Sequence, residues 1–353
     1  MASRAPLIGI DRIADYADRL VARSPSEYAI DHIPGATNHP VLDDEQRARI
    51  GTLHAQETFE ARRLGAALVS RNIATMLEIA FADKPREWQP IVYCWRGGKR
   101  SGSLAHVMNE VGWRAVQLAG GYKAYRGHVI ERLSQLPDRF DYRVICGVTG
   151  SGKSRLLNAL DRAGAQVLDL EALAQHRGSL LGDLPTAPQP SQKAFETALV
   201  HRLETFDPAR PVYVESESRK VGEIRVPQNL LDRMWQSRCV TLETTDAQRI
   251  ALLREEYAHF IADPAALDAK LRHLVPLRGA ETVGRWREMA SSGDWDALVG
   301  DLLVTHYDPT YLRSIRQNFP QFGDATRIDV DGIDERAFDL AASRALESQA
   351  SLP

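Results

Sequence analysis

One octapeptide restricts the fold of this chain more than any other segment. Residues 147–154 read GVTGSGKS and match the pattern G-x-x-x-x-G-K-[ST] in full. An apolar run, RVIC, precedes the glycines, and a helical pattern follows them. Because backbone amides between a strand and a helix can hold a phosphate, the motif predicts an α/β unit with a phosphate-binding loop (P-loop). The predicted diphosphate-binding residues are Gly147, Thr149, Gly150, Ser151, Gly152, Lys153 and Ser154.

Strand and helix patterns alternate before and after this loop. Strands are predicted at RLVAR, PIVYCW and AVQLA in the first part, and at DYRVICGV, AQVLDL, PVYVESES and CVTLETT in the second. Such alternation favours parallel sheets. The segment 133–143, LSQLPDRFDYR, is the best boundary because it contains a proline and a new strand follows it. We therefore predict two α/β domains, residues 1–136 and 137–353, with the second becoming helical after Thr245.

Composition excludes several classes of protein. The 353 residues are 44% hydrophobic and 26% charged, which argues against wholesale disorder. Apolar runs are too short to span a bilayer, and acidic residues interrupt the N-terminal segment where a signal peptide would be apolar. Three cysteines do not suggest a disulfide scaffold or a zinc site, so a cytoplasmic location is expected. The net charge of -3 excludes a polybasic nucleic-acid binder, although a local patch can still hold phosphates.

A second loop carries a candidate nucleophile. The segment 94–101, CWRGGKRS, follows an apolar run and leads into a helix predicted to start near Ser101 and to end at Gly112. Loop amides, the helix dipole and three cations all favour thiolate over thiol, so we expect a low pKa and high reactivity. The predicted catalytic residue is Cys94. The predicted anion-binding loop consists of Trp95, Arg96, Gly97, Gly98, Lys99 and Arg100.

Polar residues follow two strands of the second part. The carboxyl ends of parallel strands surround the ligand crevice, so these side chains are candidates for contact with a substrate at the P-loop. They are Asp169, His176, Arg177, Glu215, Glu217 and Arg219. Ser154 and Asp169 are the candidates for holding Mg²⁺. Cys146 and the tryptophans at 235, 286 and 295 are interpreted as packing residues.

The residues around Cys94 resemble the rhodanese (sulfurtransferase) family over roughly residues 7–130. The segments 23–28 (RSPSEY), 32–38 (HIPGATN) and 118–122 (LAGGY) are similar to its signatures. The resemblance implies a rhodanese-like domain in which Cys94 carries sulfur or selenium as a persulfide or perselenide. Two features depart from the family. Val21 stands in a strand where an acidic residue is usual, and the loop from Cys94 to Arg100 is one residue longer, as in cysteine-dependent phosphatases.

A rhodanese-like domain joined to a P-loop NTPase-like domain resembles the tRNA 2-selenouridine synthase family. The segments CWRGGKRS, GVTGSGKS, LDLEALAQHRGSLLG and VESESRKVG carry this resemblance, which covers essentially the whole chain. It implies modification of the wobble uridine in two steps. A geranyl group is transferred from geranyl diphosphate to the sulfur of 2-thiouridine, and selenium from selenophosphate then displaces the geranylthio group. Both compounds are expected as substrates, without a tightly bound cofactor, and the expected partner is a tRNA with 2-thiouridine at the wobble position.

The sequence does not assign the two reaction steps to the two loops. Nor does it say whether ATP or geranyl diphosphate occupies the P-loop. Two other classes fit the same motifs: an ATP-dependent kinase/cysteine-phosphatase fusion, and a non-catalytic, nucleotide-regulated sulfur-relay module. Basic residues predicted to contact tRNA are Lys99, Arg100, Arg177, Arg219 and Lys220, with Arg272, His273, Arg278, Arg285 and Arg287 in the helical tail.

Overall fold

The computed structural model describes residues 5–179, 181–185 and 188–350. Leu180, which belongs to the segment 168–182 that carries part of the family resemblance, lies outside the described residues. The chain divides into two compact units. The first extends to Ser134 and also includes Pro190–His201, and the second comprises Gln135–Gln189 and the chain from Arg202 onward.

The first unit is built on a parallel sheet. Its described strands are β1 (Leu7–Ile8), β2 (Arg19–Val21), β3 (Ala36–Asn38), β4 (Ile91–Tyr93) and β5 (Val116–Leu118). They form one sheet in the order β1-β5-β4-β2-β3, and each pairing between these described strands is parallel. All residues of the central strand β4 are buried, as expected for a parallel sheet. The loop that begins at Cys94 therefore leaves the carboxyl end of the central strand.

Helices surround this sheet, and local sequence determines where several begin and end. The helices are α1 (Pro25–Ile30), α2 (Asp44–Gln56), α3 (Thr58–Thr75), α4 (Lys99–Val111) and α5 (Gly121–Gln135). The Asp43 side chain accepts a hydrogen bond from the Gln46 amide at 2.7 Å, a capping box that fixes the start of α2. Gly112 ends α4 with φ 106°, which confirms the predicted C-cap.

The second unit also contains a parallel sheet, on which the P-loop is mounted. Its strands are β6 (Tyr142–Cys146), β7 (Gln166–Leu168), β8 (Val212–Glu215), β11 (Arg238–Glu243) and β12 (Thr326–Asp329), while β9 (Lys220–Val221) and β10 (Ile224–Arg225) form a separate antiparallel pair. In the described part of the chain the sheet order is β12-β11-β6-β8-β7, with every pairing parallel. The predicted α/β fold with two parallel sheets is confirmed.

Helices of the second unit fall into two groups. Helices α6 (Lys153–Arg162), α9 (Gln228–Trp235) and α17 (Glu335–Ala350) pack on the sheet. Helix α7 (Leu170–Ala174) follows β7, and α8 (Gln192–Glu204) has its first ten residues in the first unit. A helical insertion separates β11 from β12. It comprises α10 (Asp246–Glu256), α11 (Ala258–Ala262), α12 (Pro264–Arg272), α13 (Val275–Arg278), α14 (Ala280–Ser292), α15 (Trp295–Leu302) and α16 (Asp308–Asn318).

Two features differ from the sequence prediction. The tail is not wholly helical, because β12 returns to the sheet after the insertion. The segment Pro190–His201 lies with the first unit rather than with the P-loop unit in which residues 137–353 were placed. Thr197 donates a hydrogen bond at 3.1 Å to the buried carboxylate of Asp31, and Glu196 pairs with Arg126. Such long-range polar contacts leave no periodicity in the sequence.

Candidate functional site

Cys94 lies at the base of the loop between β4 and α4. Its side chain is 3% exposed. Helix α4 begins at Lys99, two residues before the predicted start near Ser101, because Gly98 already serves as the N-cap. Lys99 and Arg100 therefore occupy the first helical turn. Cations are unfavourable beside the positive end of a helix dipole, so this arrangement favours an anion at the loop.

The thiol of Cys94 is surrounded by hydrogen-bond donors. The Ser101 hydroxyl donates to Sγ at 3.2 Å. Burial raises the pKa of the thiol, but hydrogen bonds from Ser101 and from the Gly98 amide, together with the charge of Arg100, outweigh it and hold the pKa below its ordinary value. The loop thus stabilises a thiolate, the nucleophilic form of cysteine.

Gln117 and two glycines hold this loop in shape. The Gln117 amide donates to the Ser101 hydroxyl at 2.8 Å and to the Gly97 carbonyl at 2.6 Å. Gly121 has φ 57°, and a Cβ there would collide with the Cys94 carbonyl and the Gly97 amide. Gly121 is thus required for the close approach of α5 to the cysteine loop, and Gly120 has φ 68°, which also favours glycine. The sequence signal for Gln117 is its position as a polar residue inside the apolar strand AVQLA, and no motif singles it out.

The cations of the loop have different surroundings. Arg100 binds Glu27 of α1 through two contacts, at 2.6 and 3.4 Å, and Arg47 contacts the same carboxylate at 3.0 Å. Glu27 therefore provides an acidic partner although Val21 stands where the family usually has an acid. Arg96 and Lys99 are exposed and have no ion-pair partner within the described part of the chain. They are the loop cations free to meet an anion.

Trp95 presents a half-buried ring next to the cysteine. The guanidinium of Arg23 lies 5.6 Å from its centroid, and the ammonium of Lys193 lies 6.0 Å from it. Arg23 also covers the Tyr122 ring at 4.1 Å. The rings of Trp95 and Tyr122 and these two cations thus form a layer held together by cation–π contacts.

The P-loop of the second unit is supported from several directions. Lys153 Nζ donates to the Gly147 carbonyl at 2.9 Å and lies 5.3 Å from the Tyr311 ring, whose hydroxyl accepts from the Gly147 amide at 2.8 Å. The buried Arg249 donates to the Thr149 carbonyl at 3.0 Å and forms a two-contact ion pair with Asp308. Arg249, Asp308 and Tyr311 belong to the helical insertion, and no motif identified them.

A cavity of about 650 Å³ opens at this loop. It is large enough for a nucleotide or another diphosphate ester. Most of the predicted residues of this unit meet here: the cavity is lined by Thr149, Gly150, Gly152, Lys153, Ser154, Asp169, His176, Arg177 and Glu217. Gly147 and Ser151 shape the loop from behind, and the Ser151 hydroxyl is buried without a partner.

Carboxylates face the P-loop. Ser154 donates to Glu171 at 3.1 Å, so Glu171 is the acid hydrogen-bonded to this hydroxyl, while Asp169 caps α7 by accepting from the Ala172 amide at 2.7 Å. Burial and neighbouring carboxylates raise the pKa of Glu171 to about 7 and that of Glu217 to about 8. Burial likewise raises the pKa of Asp169 and, well above its usual range, that of Glu215. These four buried carboxyl groups therefore resist ionising together at neutral pH.

Two of the remaining candidate residues line the cavity, and two lie outside it. His176 is 4% exposed, and its Nε2 lies 3.3 Å from Asp183. Arg177 lies over the Tyr257 ring at 5.1 Å, and its Nη1 is buried without a hydrogen-bond partner. Glu215 lies outside the cavity lining and accepts from the Glu171 amide at 2.9 Å. Arg219 also lies outside the lining, 5.7 Å from the Trp235 ring.

The basic residues of the helical tail are mostly engaged. Arg272 and Arg287 both pair with Asp268, and Arg285 pairs with Asp301 at 3.0 Å. Arg278 donates to the His306 ring at 2.9 Å. This helical surface is therefore much less positive than its arginine count suggests.

The described residues lack two kinds of feature. No group of three or more histidine, cysteine, aspartate or glutamate side chains there could hold a metal ion by itself. None of the helices in the described ranges has the length and apolar character needed to cross a membrane.

Comparison with known proteins accounts for both units. Residues 17–128 match the rhodanese-like domain family, and residues 140–271 match the tRNA 2-selenouridine synthase AAA domain family. A protein from Nitrosomonas europaea named tRNA 2-selenouridine synthase is 34% identical over 283 residues, which cover 77% of this chain and 72% of the relative.

Two further relatives carry the same name. The Hydrogenovibrio crunogenus protein is 35% identical over 67% of this chain and 66% of its own length, and the Marinobacter nauticus protein is 36% identical over 67% and 64%. The matches thus span about two thirds of each relative. The chain belongs to the tRNA 2-selenouridine synthase family.

Proposed function

We propose that this protein is an enzyme that converts 2-thiouridine at the wobble position of tRNA to 2-selenouridine. Geranyl diphosphate first alkylates the sulfur, and selenophosphate then supplies the selenium that displaces the geranylthio group. The observation that carries the proposal is the pairing of two unlike anion loops in one chain: one holds a stabilised thiolate, and the other is a P-loop above a large cavity. Membership in the family supports the same substrate class.

The P-loop suits the geranyl step. Geranyl diphosphate presents a diphosphate that becomes the leaving group when sulfur attacks the adjacent carbon. Lys153 and the loop amides would hold its oxygens, and Arg177, whose Nη1 has no partner, would complete the contacts. Hydrogen bonds from these donors become stronger as negative charge develops on the departing diphosphate, so they stabilise the transition state more than the bound ester.

A divalent cation fits the same place. Mg²⁺ prefers oxygen ligands and is usually held by one or two carboxylates together with substrate phosphates. The hydroxyl of Ser154 is hydrogen-bonded to Glu171, and burial raises the pKa of both Glu171 and Asp169, so a divalent cation there would offset the cost of their negative charge. Ser154, Glu171 and Asp169 would hold Mg²⁺, which would supply charge neutralisation to the diphosphate.

The cysteine loop suits the selenium step. Selenophosphate is a small tetrahedral anion that fits a loop with amide donors and the free cations Arg96 and Lys99. The thiolate of Cys94 would assist delivery of the selenium, with Ser101 stabilising its negative charge. Gln117 and Glu27 are positioning residues because they act through Ser101 and Arg100.

A two-stage assay tests the proposal. A 2-thiouridine anticodon stem-loop would be incubated with purified protein and geranyl diphosphate, then with selenophosphate, and its nucleosides analysed by mass spectrometry. We expect geranylated 2-thiouridine after the first stage and 2-selenouridine after the second. Unchanged RNA combined with turnover of ATP or para-nitrophenyl phosphate would contradict the proposal and favour the kinase/phosphatase alternative.

A further inference from the structure

A second, apolar space adjoins the P-loop cavity. It has a volume of about 70 Å³, room for about five water molecules. Five residues line both spaces: Thr149, Ser179, Leu253, Tyr257 and Tyr307. The two spaces are therefore adjacent, and we call the five shared residues the neck. We call the smaller space the apolar chamber.

The chamber beyond the neck is lined almost wholly by hydrocarbon. Its side chains include Leu181, Phe260, Leu267, Leu298, Val299 and Leu302. All but Leu181 belong to the helical insertion between β11 and β12. Most of them are part of a hydrophobic cluster of this insertion, which is separate from the cluster behind the P-loop. The insertion thus builds an apolar surface immediately beside a phosphate site.

The neck separates two kinds of chemistry. On the cavity side, Arg177 lies over the Tyr257 ring at 5.1 Å with its Nη1 buried and unpartnered. At the neck, Ser179 Oγ and the Tyr257 hydroxyl lie 3.2 Å apart and share a hydrogen bond. Beyond them few polar groups remain to bind a ligand. A ligand that spans the neck therefore has an anionic head and a hydrocarbon tail.

We propose that the apolar chamber binds the hydrocarbon chain of a short prenyl diphosphate whose diphosphate lies on the P-loop. This inference rests on the proposed function and assigns the tail of that substrate a place. A nucleobase suits the chamber poorly, because its polar edges would be buried without hydrogen-bond partners. Room for about five water molecules corresponds to about one five-carbon isoprene unit, so the chamber would hold the distal unit of a geranyl chain, and longer prenyl chains would exceed it.

Titration calorimetry of the full chain in the presence of Mg²⁺ tests the inference without a substitution. The probes are inorganic diphosphate, dimethylallyl diphosphate, geranyl diphosphate and farnesyl diphosphate. Burial of two methylene groups is worth about tenfold in affinity, so we expect geranyl diphosphate to bind at least about tenfold more tightly than inorganic diphosphate. We expect no further gain with farnesyl diphosphate. Equal affinities for inorganic, dimethylallyl and geranyl diphosphate would overturn the inference.

A matched pair of variants locates the tail. Val299 of α15 lines the chamber and is half-buried, whereas Val304 is 66% exposed and lines neither space. Val299→Phe fills the chamber, and we expect it to remove the preference for geranyl over inorganic diphosphate while inorganic diphosphate still binds. Val304→Phe adds the same bulk outside and should preserve the preference. A preference that survives Val299→Phe, or that Val304→Phe abolishes equally, would contradict the chamber assignment.

The failure of this inference differs from failure of the proposed function. If geranyl diphosphate binding depends on Lys153 and is displaced by inorganic diphosphate, but chain length has no effect, the chamber assignment alone is wrong. If Lys153→Ala leaves geranyl diphosphate binding unchanged, the assignment of the P-loop to the geranyl step fails, and the chamber assignment fails with it.

Discussion

The cysteine loop and the P-loop share a plan but differ in charge. Each leaves the carboxyl end of a buried strand and leads into a helix. Around Cys94, hydrogen bonds and cations lower the pKa of the thiol. Around Lys153, crowded carboxyl groups have a raised pKa, about 7 for Glu171 and about 8 for Glu217.

Under the proposed function, this difference in charge sets how each loop would bind its anionic substrate. The cysteine loop already carries positive charge and donors, so a small oxyanion can bind without a companion cation. The P-loop cavity is lined by three cations and four acids. Lys153 and Arg177 face these acids, whereas Arg155 already pairs with Glu255, so a diphosphate entering alone would meet like charges. A metal-accompanied ligand resolves that conflict. The two sites are thus suited to different anions.

The largest effect is expected for substitution of Cys94, because the cysteine loop then loses its nucleophile. Cys94→Ser removes the thiolate, and we expect selenation to be lost while the geranylated intermediate accumulates. Mass spectrometry of nucleosides from the two-stage assay measures both. Cys239→Ser is the control, since Cys239 is buried in the sheet of the second unit. Normal selenouridine formation by Cys94→Ser would refute the role given to this thiol.

Lys153→Ala should have the next largest effect. A charge-assisted hydrogen bond to phosphate is worth about 1.5–3 kcal/mol. Geranyl transfer should therefore slow by about one to two decades. Single-turnover rates of geranylation measure this, and selenation of a pre-geranylated stem-loop provides the control reaction. Loss confined to selenation would reverse the assignment of the two loops.

Ser101→Ala sharpens the contrast in pKa. Its hydroxyl stabilises the charged form of Cys94, so its removal should raise the pKa of the thiol. The thiolate fraction at neutral pH then falls. Ultraviolet absorbance of the thiolate as a function of pH, with Cys94→Ser as the blank, measures the shift. An unchanged midpoint would show that Ser101 does not tune this thiol.

The smallest expected effect concerns the salt dependence of tRNA binding. Each phosphate contact contributes a log–log slope of about -0.7 to -0.9. Reversing the free cations Arg96 and Lys99 to glutamate should flatten the slope by more than one contact. Reversing Arg285 and Arg287 in the tail should flatten it less, because both already pair with aspartates. A larger change from the tail pair would make the helical insertion the main tRNA surface.

Sequence alone predicted the parts of each site that are contiguous in the chain. The order strand, glycine-rich loop and helix is local, so it revealed Cys94, Lys153 and their loop neighbours. Glu171 lies only two residues after Asp169 in the sequence, yet only the structure shows that it accepts a hydrogen bond from Ser154. Residues that support the loops from a distance had no such signal. Glu27, Arg249 and Tyr311 lie 73, 100 and 164 residues from the groups they contact.

The short strand β12 was missed for a related reason. Its four residues, TRID, show weak apolar alternation after a long helical stretch, and only pairing with β11 gives them a regular structure. The helical insertion itself was recognised from its periodicity. Its role in closing the P-loop site could not be, because which face of a helix meets which loop depends on the three-dimensional packing.

The contact between Gly152 and Phe338 has a consequence for biosynthesis. A Cβ at Gly152 would strike the Phe338 ring, so the turn of the P-loop is shaped against a helix that the ribosome makes about 180 residues later. At roughly 5–20 residues per second, translation needs about ten seconds or more to cover that distance. During this interval the nascent P-loop lacks its backing helix and the edge strand β12. The nascent chain therefore gains a fully supported P-loop only after α17 has emerged from the exit tunnel.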